Sequence, residues 1–304
     1  MSASRRRSSG PEWVRAWKPV VAGVHEVFHA RFVDYAYPPH VHDAWTVFVV
    51  DDGWIRYDLE TRARGAGGER VIILPPHLVH DGRAATGGGF RKRVLYLSAD
   101  VLPERLIGPA VDRPDIHDPA LLRAVHALHR TLDEPDDALE AEARLALVGD
   151  RLRAHLGDLP AGVESGRRGP LGGLPTSVAG GSQRPLGSHH PSAVPGGHPG
   201  RLAGDLRDLL DQRLFDRTTL AEAGHELGAS PSHLVRSFTG TFGIAPHQYV
   251  TARRIDAARK RLLGGEPIAL VAAGVGFYDQ AHFTRLFKRH VGTPPGRYAL
   301  SGGR

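Results

Sequence analysis

The C-terminal third of the chain contains an ungapped repeat at an offset of 49 residues, as from Arg236 to Arg285. Leu220, Ala223, Leu234, Arg236, Phe238, Gly243, Pro246 and Tyr249 line up with Ala269, Ala272, Phe283, Arg285, Phe287, Gly292, Pro295 and Tyr298. A fixed period that returns small, apolar and turn-forming residues to the same places means one structural unit built twice. Each copy opens on a short helical stretch, "TLAEAGHEL" and "PIALVAAGV". It then crosses a turn, "GASPS" and "GFYDQ", and enters a second helical stretch, "HLVRSFTGTF" and "AHFTRLFKRH". Two short helices around a tight turn, with small residues at the crossing, predict a helix-turn-helix in each copy.

Winding the second helix of each copy at about 100° per residue separates two faces. Leu234 and Phe238 lie together, with Ser232, His233 and Arg236 opposite. Phe283, Leu286 and Phe287 form the matching buried face, with Ala281, Thr284, Arg285 and Lys288 opposite. An exposed face of small or hydrogen-bonding residues around one Arg suits a helix lying in a DNA major groove, where an Arg can bind guanine through two hydrogen bonds. Between the copies, "HQYVTARRIDAARKRLLGG" predicts a helix from His247 to Leu263, about 25 Å long at ~1.5 Å per residue. That length could hold two reading helices near the ~34 Å between successive major-groove faces.

Charge follows the same division. The net charge is +6, yet from Gly228 onward there are 11 Lys and Arg against 3 Asp and Glu, a net of +8, which leaves −2 for everything before. A basic segment beside a near-neutral one points to a polyanionic partner.

A length of 304 residues predicts two domains, because single cores stop growing at roughly 250 to 300 residues. The boundary lies in residues 157–200, where Gly, Pro and Ser dominate and no helical or strand period survives. This segment reads as a flexible linker that would transmit orientation poorly, and its His189 and His190 as ordinary linker residues. Before it, "HEVFHARFV", "WTVFVV", "WIRYDLE", "RVIILPP" and "KRVLYL" read as short strands separated by Gly turns, which predicts a sandwich or barrel. From Asp118 to Leu156 the period is helical, with Leu121, Leu122, Val125 and Leu128 in one stripe and Leu145, Val148, Leu152 and Leu156 in another. These stripes either cover the barrel or pair with a second copy in a homodimer.

The absence of cysteine removes disulfides, thiolate metal sites and thiol nucleophiles, and fits a reducing compartment. No apolar run approaches the ~18 residues of a membrane-spanning helix. The start, "MSASRRRSSGPEWVRAW", has no apolar stretch behind its basic residues. The expectation is a cytoplasmic protein with no membrane partner and a loose tail over residues 1–17.

The segment from Arg201 to Tyr298, and above all "GFYDQAHFTRLFKRHVGTPPGRY", resembles the AraC/XylS-type transcriptional regulators. The resemblance implies an α+β chain of two domains. Residues 1–156 would form an effector-binding or dimerising domain, a cupin-like β-barrel with helices. Residues 201–304 would form an all-α DNA-binding domain of two helix-turn-helix units. Carried onto this chain, it implies base contacts from Ser232, His233, Arg236, Gln280, Ala281 and Arg285. His282 follows the family pattern too, though its angle puts it at the edge of the face, where it would help hold the fold. Arg253, Arg254, Lys288 and Arg289 become the candidates for DNA phosphates. Double-stranded DNA, a small-molecule effector and RNA polymerase are the implied partners.

"YPPHVHDAWTVFVVDDG" then resembles the first motif of the cupins, and "GERVIILPPHLVH" the second, with His80 in the place of the third histidine ligand. Metal-binding cupins usually add a Glu shortly after the first pair, whereas "DAWTVF" contains none. The reading adopted is therefore an effector pocket made from His40, His42, Trp45, Tyr57 and His80, with no cofactor and no catalytic residues. Its alternative is a metal held by His40, His42 and His80, in a metal-dependent cupin enzyme that carries a DNA-binding appendage.

Overall fold

"WTVFVV" is apolar at nearly every position, and a strand of that kind needs cover on both faces. In the computed structural model, which describes residues 11–59, 62–134, 138–157 and 199–302, this run is buried from Trp45 to Val50. It starts β4 (Trp45–Gly53), at the middle of a six-stranded sheet with β1 (Trp13–Trp17), β2 (Val24–Phe32), β7 (Val71–Leu74), β9 (Phe90–Leu97) and β10 (Asp115–Ile116), in the order β1-β2-β9-β4-β7-β10. A second sheet has the order β3-β8-β5-β6, made from β3 (Ala36–His40), β5 (Ile55–Leu59), β6 (Arg62–Ala66) and β8 (His80–Ala84). All pairings are antiparallel.

Strand alternation sends Phe28, Ala30, Phe48, Val50, Ile72, Leu74, Phe90 and Tyr96 of the first sheet into one core with Ile55, Tyr57 and Leu59 of the second. The alternate residues Val27, Trp45, Val47, Val49, Ile73, Leu95 and Leu97 face the other way. There they meet α2 (Pro119–Thr131) and α3 (Ala138–His155), while α1 (Ile107–Asp112) packs beside β7. Leu121, Val125, Leu128, Leu145, Val148, Leu152 and Leu156 are all buried in this layer. The helical stripes thus cover the sheet within one chain, and the homodimer reading of these particular residues gives way to that.

The N-terminal tail also differs from its expectation. Residues 13–17 form β1, paired with β2 from Trp13 opposite Arg31 to Trp17 opposite Val27. Trp13, Val14 and Trp17 make a short edge strand, and the arginine cluster before it masked that pattern. β3, with Pro38 and Pro39, is likewise an edge strand, where a missing backbone N–H is tolerated.

The remaining elements are helices: α4 (Pro199–Gln212), α5 (Leu220–Glu226), α6 (Pro231–Phe242), α7 (Pro246–Leu263), α8 (Ile268–Gly274), α9 (Gln280–Val291) and α10 (Pro295–Ser301). The repeat appears as α5-α6 and α8-α9, joined by the 18-residue α7. α4, which begins at Pro199 inside the segment read as linker, supplies Leu206, Leu209 and Leu210 to the core of the first unit. Residues 158–198, with most of that linker and both His189 and His190, lie outside the described residues.

The helices are docked on the sheets. α7 and α9 pack on β3, and α10 packs on β1. Ile255, Ala258 and Leu262 of α7 join the same apolar cluster as Phe28 and Tyr96. Ser301 accepts from the backbone N–H of Ala16 (3.0 Å), and its hydroxyl hydrogen lies between the carbonyls of Tyr298 (2.7 Å) and Ala16 (3.1 Å), which ties α10 to the open edge of β1. Communication between the halves therefore has a packed route that does not depend on the linker.

Candidate functional site

α6 is capped by Ser230, whose hydroxyl accepts from the His233 backbone N–H, and α9 by Asp279, whose carboxylate accepts from that of His282. Leu234 and Phe238, then Phe283 and Phe287, turn inward and are buried. Ser232, His233 and Arg236 on α6 are exposed, as are Gln280, Ala281 and Arg285 on α9. His282 is half-buried, with its ring edge-on to Phe277 at 5.6 Å, so it supports the turn. Arg236, Arg285, Lys288, Arg289 and Arg297 are all exposed, and among the described residues none of them forms an ion pair.

Arg253 and Arg254 are placed differently from the phosphate-binding role the sequence suggests. Arg253 approaches Asp211 at 3.5 Å and His77 at 3.3 Å. Arg254 donates to three carbonyls: Leu214 at 2.7 Å, Asp216 at 2.8 Å and Gly276 at 2.8 Å. Three of its five N–H donors are thus used within the fold, so Arg254 braces the two units, a role its sequence position did not suggest.

The histidines converge because of strand register. His40 ends β3 directly opposite His80 at the start of β8, and His42 follows two residues on. The ring centroids are 4.4 Å apart for His40 and His80, 4.9 Å for His40 and His42, and 5.3 Å for His42 and His80. They line a cavity of ≈ 40 Å³ with Tyr37, Phe48, Tyr57 and Lys92 from the sheets and Arg259, His290 and Val291 from the helices. Burial, reinforced by its neighbours His80 and His42, holds the His40 imidazole well below its usual range. Burial and then Arg259 do the same to His42, and burial brings His80 to about 4. All three are neutral at pH 7. Burial, then Arg259, lowers the Lys92 ammonium to about 7. Its Nζ lies 4.2 Å from the centre of the Tyr37 ring, and no carboxylate pairs with it among the described residues.

The boundary of this cavity is also the seam between the halves. Asp256 of α7 holds His42 Nδ1 at 2.7 Å, Arg259 pairs with Glu26 at 2.7 Å, and Lys260 pairs with Asp43 at 2.7 Å. Tyr35 donates to the Arg289 carbonyl at 2.7 Å.

Comparison with known proteins agrees with both halves. Residues 22–148 match the family model described as an AraC-like ligand binding domain, and residues 224–300 match that of a helix-turn-helix domain. The multiple antibiotic resistance protein MarA of Escherichia coli is 30% identical over 97 residues, which cover 32% of this chain and 76% of MarA. The chain belongs to the AraC family of transcriptional regulators. The probable transcriptional regulator LumQ of Photobacterium leiognathi is 32% identical over 94 residues, 31% of this chain and 38% of LumQ. This AraC-family chain thus aligns with well under half the length of that relative. Among solved structures, ToxT from Vibrio cholerae O395 superimposes with a TM-score of 0.51 at 10% identity, over 96% of this chain and 98% of ToxT. Wild-type ToxT of strain SCE256, with an unsaturated fatty acid bound, gives a TM-score of 0.50 at 11% identity, over 98% of each chain. The two-domain fold is therefore shared along the whole length.

Within this AraC-family chain the pocket residues named from sequence divide. His40, His42, Tyr57 and His80 line the cavity, although the Tyr57 hydroxyl is held by Asp115 at 3.0 Å. Trp45 does not, which corrects its place in the expected pocket. Thr46 and Phe48 face the cavity, so strand alternation turns Trp45 onto the helix-covered face, where it packs with Val47 and Leu95. Lys92, Asp256, Arg259 and His290 escaped the sequence reading. For Asp256 and Arg259 a signal existed: both fall on the apolar period of α7 that runs through Tyr249, Ala252, Ile255 and Leu262.

Proposed function

We propose that this chain regulates transcription by binding double-stranded DNA at particular sequences through α6 and α9, and that a small-molecule effector at the seam between the halves controls that binding. The observation that carries the reading is the pair of repeat-related helix faces, each exposed and each centred on an Arg with no ion-pair partner among the described residues. On α9 the exposed cations Lys288 and Arg289 follow Arg285 within the next turn. Base-facing Arg with flanking cations is the combination that reads sequence and neutralises phosphate together. The cavity supports the control step because both halves line it. A molecule touching both sides binds the docked and undocked arrangements with different affinity, which is what any shift in population requires. The fatty acid bound to ToxT supports a small molecule as effector. RNA polymerase and a second copy of this chain are the further partners of this reading, and the cytoplasm is its location. No helix among the described residues is long and apolar enough to cross a membrane.

Selection of bound sequences from a random duplex pool with the full chain tests this. The expected result is a site in two parts, bound with an affinity that falls steeply with salt. Uniform recovery of all sequences would overturn it.

A further inference from the structure

The cavity between the halves is small for an organic ligand. Its ≈ 40 Å³ has room for about three waters, at roughly 10–15 Å³ each on that measure, against roughly 300 Å³ or more in sites for drug-sized molecules. An ion with its solvent fits the docked arrangement as it stands.

The histidine rings are oriented for one. His40 Nδ1 lies 2.7 Å from the Pro38 carbonyl, His80 Nδ1 lies 3.0 Å from the Leu78 carbonyl, and His42 Nδ1 lies 2.7 Å from the Asp256 carboxylate. A carbonyl or carboxylate oxygen accepts, so each Nδ1 carries the hydrogen, and in a neutral ring Nε2 is left with a free lone pair. Metal-binding histidines are held in just this way, with the second nitrogen donating to a carbonyl or carboxylate that fixes the tautomer and the ring angle. One ring nitrogen from each histidine lies within 4.8 Å of the other two. With each Nδ1 hydrogen already taken, the three Nε2 atoms have no proton to share among themselves, and a cation satisfies all of them.

We propose that His40, His42 and His80 bind one divalent transition-metal ion through their Nε2 atoms, and that Asp256, on the helix joining the two helix-turn-helix units, orients His42 and so couples occupancy to docking of the DNA-binding half. Three imidazoles without a carboxylate favour zinc, nickel, copper or cobalt over magnesium or calcium. Arg259, which lines the same cavity, is balanced by Glu26 and Asp256 at 2.7 and 3.7 Å. Lys92 has no carboxylate partner among the described residues, so a bound cation would draw an anion into the cavity with it. Coupling is reciprocal: an ion that favours docking is held more tightly by the docked chain. In this proposal the ion itself is the effector that enters the docked cavity, and the proposal rests on the reading above only for the consequence at DNA.

The test uses the full chain, stripped with a chelator and titrated with cobalt(II) chloride, with bound metal followed by equilibrium dialysis and by the visible absorption of the ion. One cobalt per chain is expected, with magnesium not competing. His40→Gln and His80→Gln should each weaken binding at least about 100-fold, and Asp256→Ala by about 10- to 100-fold. His225→Ala, at an exposed position, should leave it unchanged. Thermal melts of each variant, with and without cobalt, separate loss of the site from loss of the fold: stabilisation by cobalt should vanish in a His40→Gln chain that still melts cooperatively. Substoichiometric binding, or full-strength binding by His40→Gln, overturns the site. Sequence selection on the metal-free chain separates the two readings, since retained DNA preference without cobalt binding sinks the metal site alone, and cobalt binding without DNA preference sinks the regulator.

Discussion

Glu26 and Arg259 meet at 2.7 Å, although 233 residues separate them in sequence, and each side chain is only 6% exposed. One belongs to β2 and the other to α7, so the pair crosses the seam. Arg259 also donates to the Tyr298 hydroxyl at 3.2 Å and lies 4.4 Å from the centre of the Tyr96 ring. Burial opposes its charge, and Glu26 with the surrounding tyrosines and Asp256 outweighs that, so the guanidinium stays protonated.

Removing one partner strands the other charge in the interior, which costs about 3 to 5 kcal/mol. Arg259→Met should therefore lower stability in urea by that order. Glu26→Leu combined with Arg259→Met should recover much of the loss, because the desolvation of both charges disappears with them. Additive losses in the double variant would show that the pair is not coupled.

Arg254 joins three carbonyls from both sides of α7, namely Leu214 and Asp216 before α5 and Gly276 in the turn of the second unit. It fixes how one reading helix sits relative to the other. Arg254→Lys keeps the charge but cannot span three carbonyls. Affinity for a two-part DNA site should fall about tenfold, which is about 1.4 kcal/mol. Insertion of one base pair between the half-sites should be penalised less than in the parent chain. Unchanged spacing preference, measured by fluorescence anisotropy on a set of duplexes, would rule out the brace.

The repeat made the helical half legible because each copy marks its own buried face, and the phenylalanines Phe238, Phe283 and Phe287 are all fully buried. The long β-strands were readable because β-branched and aromatic residues cluster in them and a glycine marks one end of each: Gly23 before β2, Gly53 closing β4 and Gly89 before β9. β1, β3, β6 and β8 were not, since "AYPPH", "RARGA" and "HDGRA" are edge or half-exposed strands whose pairing is set by neighbours rather than by local composition. Charge was legible in total and misleading in detail. Arg253, Arg254, Arg259, Lys260 and Arg261 all count toward the basic excess, yet each is engaged within the chain. The seam was invisible, because a linker says nothing about whether the domains it joins also touch.

Arg236 and Arg285 occupy the same place in the two copies. Arg236→Ala and Arg285→Ala should each cost about 1 to 3 kcal/mol on a specific site and relax preference at one position. Loss spread equally over all sequences would assign them to phosphate. Lys288→Ala should instead weaken binding uniformly and reduce the salt slope by about 1.

His29, half-buried on β2, and His129, buried on α2, form a second close pair, 3.2 Å apart. Burial, with the nearby Arg93, lowers His29 to about 4, and burial with His29 lowers His129 well below its usual range. Well above pH 6.5, the ordinary pKa of an unfolded histidine, both folded and unfolded chains are neutral at these sites. As the pH falls from about 6.5 toward 4, the unfolded chain takes up protons that the folded chain refuses, so stability is lost at up to about 1.4 kcal/mol per pH unit for each histidine. His129→Leu should make the decline in stability between about pH 7 and 5 shallower by about one proton, as measured by urea unfolding. An unaltered slope would show that the pair titrates normally.

Gly243 and Gly292 end α6 and α9 in the same left-handed conformation, with φ of 70° and 86°. They are related by the repeat, yet their surroundings differ. A Cβ on Gly243 would meet nothing within 4 Å, whereas a Cβ on Gly292 would come within 2.5 Å of the Phe32 ring. Alanine at either position carries the left-handed penalty of roughly 1 to 2 kcal/mol. Only at position 292 must the Phe32 ring, packed across the seam from β2, also be displaced. Gly243→Ala should therefore cost about that penalty and leave the seam closed, while Gly292→Ala should cost more and expose the seam, read as faster amide exchange in β3 and α7. Equal effects of the two substitutions on exchange in β3 would mean that α9 is not seated on Phe32.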